Sequence, residues 1–258
     1  MVKVPIAQPT MVDVDYAQNI LSGDELRAVV GEVNQRAKKD FYGAHVLDSS
    51  MLIEGGVLKI TPINGTILFG QVVSKNFPGV YVSTRAEVEK ALREGLDHNG
   101  VYSYDSLCLG GVDYSGKRLN GRDLDFACRL MKFDENLKDL SCLKGVVSKE
   151  PALVPISKLS LEADRNLGFH YAISPDAGDL IVYDKRLKQN GKFNETDFGR
   201  GLPVFGSDGK RQMYPNQGML RGVCLDGVLG LVAGVCDWAF AGCGSRVVLT
   251  DTREASRA

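Results

Sequence analysis

The residues best suited to acid–base, nucleophilic or metal chemistry are three histidines, His45, His98 and His170, and six cysteines, Cys108, Cys128, Cys142, Cys224, Cys236 and Cys243. His45 lies near Asp48, Ser49 and Ser50, which are the residue types of acyl transfer. Neighbouring side chains in a short strand-and-turn segment alternate in direction, so these groups do not converge. His170, between Phe169 and Tyr171, reads as a half-buried strand residue. No two cysteines have C-x-x-C spacing and the histidines lie far from them in sequence, which speaks against a metal site. The cysteines read as six reduced thiols, some buried as small hydrophobes. No two carboxylates stand in a context that would separate their pKa values into an acid and a base.

Two stretches have the glycines of a phosphate-cradling loop. In the first, Gly111 to Gly116-Lys117, Arg118 stands where a Ser or Thr would hold magnesium, and Leu119-Asn120-Gly121 makes a turn rather than a helix. Gly199-Arg-Gly201 lacks the third glycine of dinucleotide spacing and opens no helix. Val223 to Cys243 is long enough to cross a membrane, but it would bury Asp226 and Asp237 and carries a high density of glycine. With 31 basic and 32 acidic residues the net charge is -1, which makes no case for a nucleic-acid partner. These readings give no catalytic residue, no cofactor, no metal and no direct membrane insertion.

The elements that must position any site are legible in part. A 258-residue chain that is 44% hydrophobic and 24% charged can build a core without staples, burying about 70–75% of its open-chain surface. Ser22-Gly-Asp-Glu25 has capping-box spacing and leads into Leu26, Val29, Val30, Val33 and Ala37 at helical intervals. Thr84-Arg-Ala-Glu87 repeats that signature ahead of Val88, Ala91 and Leu92. Between the two helices, Met51-Leu-Ile-Glu54 and Val57-Leu-Lys-Ile60 flank Gly55-Gly56, a hairpin signal, and strand-like runs follow at Thr66–Ser74 and Gly79–Ser83. Further on, Phe169–Ile173 and Asp179–Asp184 flank a turn at Ser174–Gly178, and Pro203–Phe205 reads as another short strand. Leu124–Phe133 fits strand or helix, and Arg246–Thr250 reads as a last strand. The expectation is one α+β domain over 1–258, with two early helices and a loop-rich β second half.

The segment from Leu220 to Leu249 is unlike the rest. None of the Lys, Glu, Gln or Met residues of the chain falls in it, although about 4–5 would be expected there by length alone. Apolar framework positions recur at Val223, Leu225, Leu229, Leu231, Ala233, Trp238, Ala239 and Ala241, and their spacing of two suggests short strands with one buried face. Interleaved with them are Cys224, Asp226, Gly227, Val228, Gly230, Val232, Gly234, Val235, Cys236, Asp237, Phe240, Gly242, Cys243 and Gly244. The interleaved residues share no physical property. They share a genetic one: Cys, Asp, Gly, Val and Phe all arise when the adenines of an Asn codon are replaced at random.

This segment resembles the variable region of target proteins of diversity-generating retroelements, in particular the archaeal variable proteins. The resemblance rests on Arg221-Gly222, the spaced Leu225, Leu229, Leu231 and Ala233, the Trp238-Ala239 step and the terminal Ser245-Arg246-Val247-Val248. Trp238 stands where the family has Leu, and Ser245 where it has Gly. The resemblance implies a C-type-lectin-like fold in which the N- and C-terminal strands pair, two helices flank them, and loops display the variable residues. It also implies a non-enzymatic display protein whose partner is a protein or surface ligand of unknown identity.

Positions open to almost any residue cannot support folding, so their side chains must be exposed while the framework supplies the core. Val228, Val235, Cys236 and Phe240 would then form an apolar surface patch with Phe240 as its anchor. Trp238, Arg221 and Arg246 read as framework, and two Asp with no Glu, Asn or Gln in the segment argue against calcium. Two alternatives stay open: a Gly-rich buried strand pair with three core cysteines, and a small α+β hydrolase or transferase using His45 or His170. The first thirty residues have no apolar run fit for a signal peptide, which makes a cytoplasmic location the default and leaves surface display through a partner open.

Overall fold

The computed structural model describes residues 13–42, 46–47, 52–54, 57–59, 63–96, 105–109, 131–132, 152–166, 168–174, 182–184, 186, 192–198, 202, 211–215, 220–226, 230–233 and 247–253. The fold is mixed helix and sheet, with the described α-helices of more than one turn all before residue 97.

Both capping boxes form. Ser22 caps α2 (Gly23–Lys39), and α1 (Ala17–Ile20) is a single turn ahead of it. Thr84 caps α4 (Arg85–Arg93), with the Thr84 amide donating to Glu87 Oε2 at 2.7 Å. Leu26, Val29, Val30 and Val33 of α2 are buried, as their spacing requires. The run Thr66–Ser74 is not a strand but the middle of α3 (Ile63–Asn76). Every residue from Ile63 to Gly70 is buried, so neither a period of two nor one of 3.6 is imposed on the sequence there. Gly70 permits a close approach, since a Cβ there would lie 3.2 Å from Val82 Cγ2.

The terminal strands pair. β1 (Asp13–Tyr16) runs antiparallel to β15 (Val248–Asp251), which pairs on its other side with β4 (Val80–Val82). The strand in which the 220–249 segment ends is therefore the centre of a three-stranded sheet, and Leu249 within it is fully buried. Ser83 and Thr250 share a buried hydroxyl contact of 2.9 Å across this sheet. The expected hairpin also forms: β2 (Leu52–Glu54) pairs β3 (Val57–Lys59) with Glu54 opposite Val57.

A second three-stranded sheet has β9 (Gly168–Ile173) between β6 (Met131–Lys132) and β8 (Leu159–Asp164). Leu159, Leu161, Phe169, Tyr171 and Ile173 fill the core beneath α3, and the Tyr171 hydroxyl donates to Asn64 Oδ1 at 2.6 Å. The strands flanking Ser174–Gly178 do not form a hairpin. β10 (Val182–Tyr183) belongs to a seven-stranded sheet and pairs β7 (Ala152–Pro155). That sheet continues through β5 (Ser106–Leu109), β13 (Leu220–Asp226), β14 (Gly230–Ala233), β12 (Arg211–Pro215) and β11 (Lys192–Phe193). Of Leu124–Phe133, only Met131–Lys132 is described, as strand, and Pro203–Phe205 lies outside the described residues. Among the described residues no helix is long and apolar enough to cross a membrane.

Candidate functional site

The alternation in the 220–249 segment becomes a ladder. β13 and β14 pair antiparallel with Val223 opposite Ala233, Cys224 opposite Val232, Leu225 opposite Leu231 and Asp226 opposite Gly230. Directly opposed residues occupy the same face of an antiparallel pair, and successive pairs alternate between faces. The framework pairs Val223/Ala233 and Leu225/Leu231 therefore hold one set of positions, and the interleaved pairs Cys224/Val232 and Asp226/Gly230 hold the other. Gly227, Val228, Gly234, Val235, Cys236, Asp237, Phe240, Gly242, Cys243 and Gly244 lie outside the described residues, as do Leu229, Trp238, Ala239, Ala241 and Arg246.

The ladder is interior to its sheet. β13 is bordered by β5, with Ser106 opposite Val223 and Leu107 opposite Gly222. β14 is bordered by the parallel strand β12, with Tyr214 opposite Val232. Both strands are thus held on two edges by main-chain hydrogen bonds, which do not depend on side-chain identity. Register also places Leu107 and Val154 on the face of the interleaved set, and both are fully buried in the main core. The core therefore covers that face at β5, which borders β13 directly, and at β7 beyond it.

The histidines differ in outcome. His45, Asp48, Ser49 and Ser50 lie outside the described residues, as do the two glycine loops. His170 is buried rather than half-buried, at 4% exposure on β9. Glu162 Oε2 stands 3.2 Å from its Nε2 and Asp164 Oδ2 3.4 Å from its Nδ1. Two carboxylates on opposite sides of one ring do not converge on a point where a metal could sit. Ser160 Oγ donates to Glu162 Oε1 at 3.3 Å, so the carboxylate lies between hydroxyl and imidazole. A nucleophilic triad needs the imidazole in that middle place. His170→Ala is expected to cost about 1–3 kcal/mol by removing a buried ring from β9. Urea unfolding of the variant measures this.

Sequence reasoning missed a buried charged group beside the ladder. Arg85 pairs with Asp105, the residue before β5, and both are buried together with Glu89 one helical turn along α4. Burial pushes the Asp105 carboxyl above the usual carboxylate range, against the lowering effect of Arg85 and of the Ser106 hydroxyl. Arg186, bonded to Asp184 and Asp197 and stacked 4.7 Å over Phe193, was missed as well. Arg85 follows a cap on an amphipathic helix and has the sequence context of a solvated residue, so nothing local marks it.

No family model, curated protein or solved structure matches the chain.

Proposed function

We propose that the chain is a non-enzymatic binding protein with a C-type-lectin-like fold, whose segment at 220–249 is diversified by a retroelement to present a variable ligand surface. The observation that carries this reading is the register of β13 on β14. It segregates the apolar framework Val223, Leu225, Leu231 and Ala233 from Cys224, Asp226, Gly230 and Val232, the division that tolerance of substitution requires. Two features of the fold support it. The terminal strands β1 and β15 pair, and β15 anchors the end of the segment in a buried sheet. The main-chain bonding of the ladder on both edges holds it irrespective of the residues at the interleaved positions.

Phe240 is the anchor of the surface, because a rigid aromatic gives large contact area at low entropic cost. The test starts from a ligand captured by the wild-type chain on arrays of proteins and glycans. Phe240→Ala is expected to weaken that binding roughly 30-fold or more, the scale of a hot-spot residue. Its urea midpoint stays at the wild-type value. His170→Ala leaves binding unchanged. Unchanged binding by Phe240→Ala, or a turnover abolished by His170→Ala, contradicts the reading.

A further inference from the structure

We propose that the buried Arg85–Asp105 ion pair is the register key of β5, fixing which face of that strand meets the core and therefore where β13 stands. Arg85 and Asp105 are 4% and 3% exposed, on α4 and at the start of β5. The Ser106 hydroxyl donates to Asp105 Oδ1 at 2.6 Å, and the Ile156 amide donates to the Asp105 carbonyl at 2.8 Å. Among the described residues, Arg85 Nε and Nη1 have no hydrogen-bond partner. A buried pair with donors left unmatched does not recover its desolvation cost, so its value lies elsewhere than in net stability.

The apolar pattern leaves the register of β5 open. Ser106 and Leu107 are successive residues and both are buried; so are Pro155 and Val154, which stand opposite them on β7. A one-residue slip turns every side chain to the other face. Where both faces are covered, such a slip changes apolar burial little. It would, however, carry the Asp105 carboxylate away from Arg85 and leave two buried charges unpaired. A single buried polar contact choosing among near-equivalent packings is the best attested use of such groups. That β13 cannot set its own register from freely varying positions is a consequence that rests on the display reading; the key itself does not.

Native Cys108 is a built-in reporter, standing opposite Leu153 on β7 and Arg221 on β13. Leu153→Cys and Arg221→Cys each place a second thiol at cross-strand separation, about 4.5–5.5 Å between Cα atoms, which a disulfide spans. Each reporter is made in the full chain, with and without the double substitution Arg85→Met/Asp105→Leu. Mild oxidation and peptide mapping then score the bond to Cys108. With the native pair both disulfides form. In the double-variant background both are expected to fall together by about tenfold or more, because β5 itself samples the slipped register. The urea midpoint of the double variant without a reporter stays at or above that of the wild type. Disulfides at wild-type yield, loss of only one of the two, or a double variant that is less stable or unfolded would each overturn the proposal. An invariant 220–249 segment in a population would end the display reading and leave this result untouched.

Discussion

Arg85→Met alone is expected to cost about 3–5 kcal/mol of folding stability, the penalty for stranding a buried charge by removing its partner. Met matches the length of the arginine stem, so the loss is electrostatic rather than a cavity. The effect has a pH signature whose sign follows from Asp105. Its carboxyl is already held above the usual carboxylate range by burial, and Arg85 is the largest influence opposing that shift. Without Arg85 the folded chain holds the Asp105 proton more tightly than the unfolded chain does. Where the folded state binds more protons, stability falls as pH rises. The deficit of the variant is therefore smallest in acid, where Asp105 is protonated in both states. It grows as pH rises from the folded wild-type value, which burial already holds above the usual carboxylate range, through the still higher folded value of the variant. Urea unfolding of wild type and variant across that range measures it. A deficit under about 1 kcal/mol, or one flat with pH, would show that Asp105 does not need its partner.

Leu225→Ala and Leu231→Ala are each expected to cost about 2–5 kcal/mol, as removal of a buried leucine does. Cys224→Ser, Asp226→Asn, Gly230→Ser and Val232→Thr are each expected to stay within about 0.5 kcal/mol of the wild type. The contrast is sharp because the residues are neighbours in one ladder and differ only in which alternating set they occupy. Leu107 and Val154 put that contrast at risk, since the core covers the interleaved face on β5, the strand next to β13. The display reading requires that cover to end before β13 and β14. If Val232→Thr proved as costly as Leu231→Ala, the strand pair would be buried on both faces, which is the alternative of a Gly-rich core pair with buried thiols.

How much of this was legible depended on whether the signal was local. Ser22 and Thr84 announce α2 and α4 because a capping box is written within four residues. β13 and β14 are visible as a period of two in Val223/Leu225 and Leu231/Ala233. α3 reads as a strand because burial on all sides removes the polar face by which a helix is recognised. Two strand-like runs flank the turn at Ser174–Gly178, and tertiary pairing sends β9 and β10 to different sheets. The partners of the segment, β5 and β12, carry no mark of their pairing in sequence, and the parallel pairing of β12 with β14 is non-local by construction. Arg85 and Asp105 are twenty positions apart, so only the fold brings them together. The candidate binding positions themselves were chosen by codon logic rather than by chemistry.

Deep sequencing of this gene across its source population tests the central claim most directly. A diversified binding surface is expected to show substitutions concentrated at the first two codon bases of Cys224, Asp226, Gly227, Val228, Gly230, Val232, Gly234, Val235, Cys236, Asp237, Phe240, Gly242, Cys243 and Gly244, with Leu225, Leu229, Leu231 and Trp238 fixed. Substitutions scattered evenly along the gene, or a segment without variation, would contradict it and return attention to His45 and to the buried His170.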